Sequence, residues 1–183
     1  MLRAIPIVFL VVFQTPSLQQ RFNDKLTESN AVLSRATSEE ERFYALPNAA
    51  LWGARLGSNP EAASYAKELL ALAPLYRQNW NYGNAIHKGH LALGLIALAN
   101  RDLTSAKAEL LEAGRTPGSP QLNSFGPNML LAQGLLEAGE GGTVLEYFKL
   151  CTVFWKMDFR KTDQWSNQIQ SGGPVNFGAN LFY

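Results

Sequence analysis

Helix start and stop signals recur along the chain and constrain its fold more than any other feature of the sequence. Ser38 followed by Glu41 forms a capping box, in which each side chain satisfies a backbone N–H group of the other residue. Asp102 precedes another apolar-periodic run, and Pro74 and Gly114 stand where helices should end. No segment alternates apolar and polar residues as a half-buried strand does. The chain is therefore predicted to be all-α.

The helical pattern predicts eight helices packed into one domain. They lie near residues 19–34, 39–56, 60–73, 78–100, 103–113, 127–138, 142–156 and 159–169. Pro47 lies inside the second helix and should kink or split it, because proline lacks the backbone N–H group and clashes with the preceding turn. A chain of 183 residues, of which 46% are hydrophobic and 17% charged, is long and apolar enough for one such domain.

The first 18 residues have the layout of a secretory signal peptide. Arg3 supplies a positive charge, residues 4–13 are almost wholly apolar, and polar residues follow. The apolar run is too short to cross a bilayer, which takes roughly 20 residues. We therefore expect cleavage after Ser17 or Leu18, export to the periplasm or out of the cell, and a single mature domain over 19–183 with no membrane span. The alternative is a buried N-terminal strand or helix.

Charge and cysteine content exclude some functional classes. Lys and Arg number 16 and Asp and Glu 15, so the net charge is +1, which provides no basic surface for nucleic acid. Cys151, the one cysteine, lies in an apolar stretch and is expected to be a buried core residue rather than a reactive thiol. The sequence lacks a nucleophile elbow, a phosphate-binding glycine loop and an HExxH motif, so it predicts no catalytic residues and no cofactor.

The segment from His90 to Gly114 carries small residues at set positions on two consecutive predicted helices. Its anchor positions are Gly94, Ala106, Leu110 and Ala113. This pattern resembles the tetratricopeptide repeat, in which small residues let two antiparallel helices approach closely and a large apolar residue fills the gap. Looser copies fit at Ala54, Ala66, Leu70 and Ala73, and at Ala132, Val144, Phe148 and Cys151. The resemblance implies antiparallel helix pairs stacked as a short right-handed solenoid.

The same resemblance implies a concave groove. From about Tyr82 onward the chain is also similar to uncharacterised bacterial tetratricopeptide-like proteins, which implies this fold and no activity. The first helix of each pair would line the groove, which would place these residues on its concave face: Asn48, Arg55, Lys88, Leu91, Leu95, Leu98, Met129, Gln133 and Glu137. An open stripe of leucines would be sticky, so we expect the C-terminal tail, a second copy of the chain or a partner to cover it. The tail, residues 172–183, carries no charged side chain and is predicted to dock on the body of the domain.

Two polar segments predict a binding site in this groove. One is a stripe of polar side chains at helical spacing on the predicted helix 78–100, with aromatic residues beside it. The other is the segment 115–128, which is long for a connection between helices and runs into a predicted helix N-terminus that could hold an anion. The alternatives are helix-capping bonds for the stripe and an ordered connector for the segment. The predicted groove residues are Asn81, Tyr82, Asn84, His87, Lys88, Leu91, Leu95, Arg115, Gln121, Asn123 and Asn128.

The two histidines, His87 and His90, lie three residues apart on one predicted helix, which is a usable spacing for metal ligands. A zinc site would need a third protein ligand, and no further His, Cys, Asp or Glu lies nearby in the sequence, so no metal is predicted. By the repeat alignment, His90 falls where the family packs a large ring between helices.

The sequence leaves three functions open. The one it favours is an exported module that holds a peptide or protein partner in the concave groove, because helical repeats mostly bind proteins. The second is an enzyme or small-ligand receptor that uses His87, Asn84 and the segment 115–128. The third is a structural subunit that self-assembles as a homo-oligomer through the leucine stripe.

Overall fold

The computed structural model describes residues 17–57 and 59–183, which are helical with no strand among them. The α-helices of this part of the chain are α1 Leu18–Arg35, α2 Glu39–Leu56, α3 Asn59–Leu72, α4 Tyr82–Ala99, α5 Leu103–Gly114, α6 Pro120–Ser124, α7 Leu130–Glu137, α8 Gly141–Phe154 and α9 Lys161–Gln170. Short 3-10 helices span Ala73–Tyr76 and Gly178–Leu181. The all-α prediction is confirmed. Most of the predicted signal peptide lies outside the described residues, and Ser17 caps the N-terminus of α1.

Helix α2 begins at the predicted capping box and continues through its proline. The Ser38 hydroxyl accepts a hydrogen bond from the Glu41 backbone N–H at 3.2 Å, and the Glu41 carboxylate accepts one from the Ser38 N–H. Pro47 does not split the helix, which is continuous from Glu39 to Leu56. Proline costs the helix one backbone hydrogen bond. Packing of α2 against its neighbours buries large side chains such as Phe43 and Trp52 completely or nearly so, and this burial stabilises the helix by more than the lost bond costs.

The segment 115–128 contains a short helix, α6, that was not predicted. The Ser119 hydroxyl accepts a hydrogen bond from the Leu122 backbone N–H at 3.0 Å, and Pro120 occupies the first turn of α6. Serine at the N-cap followed by proline is a helix-start signal, although the surrounding turn formers obscured it. The next helix, α7, begins at Leu130, three residues after the predicted start at residue 127.

Helices that are consecutive in the chain pack on each other, and α4 also packs on helices that are not its neighbours in sequence. α2 packs on α3, α4 on α5, and α7 on α8, while α4 also contacts both α2 and α7. The anchor positions of the repeat pattern lie at these contacts and are buried, except that Leu70 is only partly buried. Gly94 allows close approach of α7, because a Cβ atom there would overlap the Leu131 side chain. Cys151 is fully buried, as predicted, and burial raises the pKa of its thiol.

The two ends of the described chain meet on the α2–α4 face. The Phe22 ring of α1 stacks on Trp52 with ring centroids 5.7 Å apart and on Phe182 with centroids 5.3 Å apart. Leu91 and Leu95 belong to the same buried cluster as Phe22. The expected open leucine stripe is therefore absent at these two positions of the described chain, because its own side chains bury them.

The tail lies on the body, and Asn180 forms several of the hydrogen bonds that hold it there. The Asn180 side-chain amide donates hydrogen bonds to the backbone carbonyls of Phe125 and Pro127 at 3.1 and 3.0 Å. The backbone carbonyl of Asn180 accepts a hydrogen bond from the Met129 N–H at 2.8 Å. This buried asparagine therefore joins the tail to the connection between α6 and α7.

Replacing Asn180 with alanine should lower the free energy of unfolding by about 1–3 kcal/mol, because one buried and one partly buried carbonyl lose their donor. Urea unfolding followed by circular dichroism measures this change. The control is Asn167→Ala on the exposed face of α9, where we expect a change within about 0.5 kcal/mol. Equal stability of the two variants would show that these bonds do not hold the tail.

Candidate binding pocket between α2, α4 and α6

A cavity of about 300 Å³ lies between α2, the turn before α4, α4 itself and the α6 region. This volume is at the lower end of the range for small-molecule pockets, and it fits one large side chain or a short peptide segment. Six of the eleven predicted groove residues line it: Asn81, Asn84, His87, Lys88, Gln121 and Asn128. The structure thus brings the polar stripe of α4 together with the segment 115–128.

A close backbone contact sets the distance between α4 and this segment. A Cβ atom on Gly83 would overlap the Gly118 carbonyl oxygen, so only glycine fits there. Beside this contact, the Thr116 hydroxyl donates a hydrogen bond to the Gly83 carbonyl at 2.7 Å. Gly118 itself has a φ angle of +86°, in the left-handed region that favours glycine. The side wall of the pocket therefore depends on a pair of glycines.

An amide network fixes the polar side of the pocket. The Asn84 amide donates to Asn81 Oδ1 at 2.9 Å and to Gln121 Oε1 at 2.8 Å. The Asn84 carbonyl oxygen accepts a hydrogen bond from the Ser119 hydroxyl at 2.7 Å. Both amide hydrogens of Asn84 are thus engaged within the protein, so this residue positions the pocket wall rather than offering donors to a ligand.

His87 is a structural residue of the pocket floor. Its side chain is almost fully buried, with Nδ1 3.1 Å from the Ala113 carbonyl oxygen and Nε2 accepting a hydrogen bond from the Asn128 N–H at 3.1 Å. The carbonyl can only accept, so Nδ1 carries the proton and the ring is neutral. Burial lowers the pKa of His87 to about 4, which keeps the ring uncharged at neutral pH.

Because both ring nitrogens of His87 are engaged, this histidine is not free to act as a general base or a metal ligand. His90 lies away from the pocket, where its Nδ1 is 2.7 Å from a Glu109 carboxylate oxygen of α5. No group of three or more potential metal-binding His, Cys, Asp or Glu side chains occurs among the described residues. The structure therefore gives no support to the proposed catalytic role of His87.

Lys88 is the charged group of the pocket. Its ammonium donates a hydrogen bond to Asn48 Oδ1 of α2 at 2.6 Å. Burial, together with a smaller contribution from the positive charge of Lys25 on α1, lowers the pKa of Lys88 to about 8. No Asp or Glu lines the cavity in the described part of the chain. Because the bond to Asn48 uses one of the three ammonium hydrogens of Lys88, two remain for acceptor groups of a ligand.

Two aromatic pairs form the rim of the pocket. Tyr44 and Trp80 stack with ring centroids 5.7 Å apart, and Phe125 and Tyr183 lie with centroids 5.6 Å apart. All four side chains line the cavity, and each is at least one-third exposed. Tyr44, Phe125 and Tyr183 were not predicted, because they come from three distant segments and share no local pattern.

Several predicted groove residues lie elsewhere. Tyr82 is partly buried and packs on a small core cluster around Phe43, and Leu91 is a fully buried core residue. Arg115 pairs with Glu112 at the surface. The remaining two predicted residues are Leu95, which is nearly buried and borders a second cavity, and Asn123, whose side chain accepts a hydrogen bond from the Lys156 N–H.

The predicted anion site at the start of α7 is occupied by the protein itself. The N–H group of Asn128 donates to His87, that of Met129 to the Asn180 carbonyl, and that of Leu130 to Asn128 Oδ1. A helix N-terminus binds an anion through free N–H groups, and these three are satisfied. The structure therefore gives no support to the anion prediction at these three groups.

A second cavity, of about 260 Å³, lies further along α4. It is lined by Arg55, Leu95 and Leu98 together with Gln133 and Glu137 of α7. These residues belong to the concave positions that the repeat alignment implies. Its rim lacks the aromatic pairs of the first pocket, so the first pocket is the stronger candidate for ligand binding.

Comparison of the chain with protein-family models, with curated proteins and with solved structures finds no match. No helix of residues 17–57 and 59–183 combines the length and apolar character that crossing a bilayer requires. The pocket geometry is therefore the basis for a functional argument.

Proposed function

We propose that this chain is an exported binding protein that holds a short segment of a peptide or protein partner in the pocket between α2, α4 and α6. The observation that carries this proposal is the combination of a small cavity, two exposed aromatic pairs at its rim and an ammonium group inside it. Aromatic side chains contribute strongly to protein interfaces, and amide or ammonium donors pair with peptide carbonyls. Export rests on the N-terminal sequence pattern.

The fold proposed to support this site is a short tetratricopeptide-like solenoid. In such an array, each first helix packs on its own partner and on the first helix of the next pair. The contacts of α2 with α3 and α4, and of α4 with α5 and α7, follow this order. The pocket then lies on the face of the first helices, which is the concave side of a solenoid.

The other two hypotheses lose their main support. The enzyme hypothesis relied on His87, whose ring nitrogens are both engaged in hydrogen bonds within the protein. Self-assembly relied on an open leucine stripe, and Leu91 and Leu95 are covered by the chain itself. Light scattering after size-exclusion chromatography measures any remaining self-association.

The binding proposal is tested by selecting peptides from a displayed random library on the purified wild-type protein. The affinities of the enriched peptides are then measured for the variants Trp80→Ser and Lys88→Met. Each substitution should weaken binding about ten-fold or more, because rim aromatics and desolvated donors dominate small interfaces. Lys88→Met keeps the apolar stem of the side chain and removes only its donors.

The matched control is Leu75→Ser, which removes a side chain that is 70% exposed and lies outside the pocket. This variant should bind with wild-type affinity. Failure to enrich any peptide family, or equal affinity of Trp80→Ser and Leu75→Ser, would contradict the proposal.

A further inference from the structure

The turn between α8 and α9 exposes three large apolar side chains within seven residues. Val153 at the end of α8 is 67% exposed, Met157 is 46% exposed and Phe159 is 75% exposed. Single exposed apolar residues are ordinary, whereas a cluster of this kind on one turn marks an interaction surface. None of the three lines the pocket between α2, α4 and α6.

The backbone of this turn is strained and held firmly. Phe159 and Arg160 have φ angles of +51° and +66°, which non-glycine residues rarely adopt. The turn is fixed to α6 by Asn123, which accepts hydrogen bonds from the N–H groups of Lys156 at 3.0 Å and Met157 at 3.2 Å. Phe159 is therefore exposed on a turn whose backbone is fixed to α6.

Positively charged residues flank the exposed apolar side chains in the sequence. The cationic residues of segment 149–163 are Lys149, Lys156, Arg160 and Lys161, and its carboxylates are Asp158 and Asp163. Asp158 is nearly buried and accepts hydrogen bonds from Thr162 and from the Lys161 N–H. Asp163 lies 3.5 Å from the Arg160 guanidinium. The Lys161 ammonium lies 5.4 Å from the Trp155 ring and 3.5 Å from Asn180 Oδ1, so the exposed cations near the apolar side chains in the sequence are Lys149, Lys156 and Arg160.

We propose that the α8–α9 turn binds the surface of an anionic lipid bilayer, with Phe159 and Met157 entering the boundary between headgroups and acyl chains. Apolar side chains gain by leaving water at that depth, while flanking cations pair with anionic headgroups. Lys149 lies one helical turn before Val153, so its charge reaches the same side of α8.

The test is co-sedimentation of the full chain with vesicles of equal parts phosphatidylglycerol and phosphatidylcholine, and with vesicles of phosphatidylcholine alone. The wild-type protein should bind the anionic vesicles, bind the neutral ones far more weakly, and be released by salt. Phe159→Asn should reduce binding about ten-fold; asparagine tolerates a positive φ angle, so the backbone is kept. Lys156→Gln should reduce binding about five-fold. Leu75→Ser, an equally exposed apolar position elsewhere, should bind as the wild type does.

A second readout reports insertion directly. Cys151 is buried, so a cysteine introduced by Val153→Cys can be labelled selectively with an environment-sensitive dye. Its emission should shift to the blue on adding anionic vesicles, and the same dye at Leu75→Cys should not respond. Absence of wild-type binding to anionic vesicles, unchanged binding of Phe159→Asn, or equal responses of the two dyes would overturn the proposal.

Discussion

Replacing Gly83 with alanine should lower the free energy of unfolding by about 3 kcal/mol or more and separate α6 from α4. The added Cβ atom would overlap the backbone carbonyl of Gly118, and a backbone atom cannot rotate away as the end of a long side chain can. The neighbouring hydrogen bonds from Thr116 to the Gly83 carbonyl and from Asn84 to Gln121 should lengthen or break. The variant should therefore lose both stability and peptide binding.

The control for this substitution is Gly142→Ala in the first turn of α8, where no atom would contact the added methyl group. That variant should be unchanged or more stable by up to about 1 kcal/mol, because alanine favours the helix over glycine. Thermal unfolding should separate the two variants by roughly 6–12 °C. A Gly83→Ala protein as stable as Gly142→Ala would mean that the two glycines are not in close contact.

Lowering the pH from 6.5 to 4 should cost the wild-type protein about 3 kcal/mol of stability through His87 alone. The folded ring has a pKa of about 4, whereas the ordinary pKa is 6.5. Above pH 6.5 both states hold a neutral ring, so stability is greatest there. As the pH is lowered from 6.5 to 4, His87 gains a proton in the unfolded chain but stays neutral in most of the folded protein. The free energy of unfolding therefore decreases by about 1.4 kcal/mol for each pH unit.

The variant His87→Gln isolates this contribution, because glutamine can donate to the Ala113 carbonyl and accept from the Asn128 N–H without titrating. Its unfolding free energy should be nearly flat over the same pH window, apart from the carboxylate effects that both proteins share. Chemical denaturation at a series of pH values measures the difference between the two curves. Parallel curves for both proteins would show that His87 is not buried as a neutral ring.

Helix positions were predictable because their signals are local. The capping box at Ser38 and the Asp102 cap are followed by the helices they predict. The polar spacing of Asn81, Asn84 and Lys88 likewise follows from helix periodicity, so their shared cavity was foreseeable. Helix α6 was missed because one cap and one proline were outweighed by the surrounding turn formers.

The sequence by itself determined that the chain is helical, where most helices begin and end, and which face of α4 is polar. Only the tertiary structure decided what each polar residue on that face does. Asn84 and His87 recur with Lys88 at helical spacing, yet both are hydrogen-bonded to the segment 115–128. Gln121 and Ser119 bond the Asn84 amide, and the Asn128 N–H bonds the His87 ring. The aromatic rim unites side chains as far apart in sequence as Tyr44 and Tyr183. Helical periodicity arises from residues that are close in sequence. Burial and the number of free hydrogen-bond donors depend on which distant segments pack against the helix. The sequence pattern could therefore indicate which face of α4 borders the pocket, but not which of its donors remain free for a ligand.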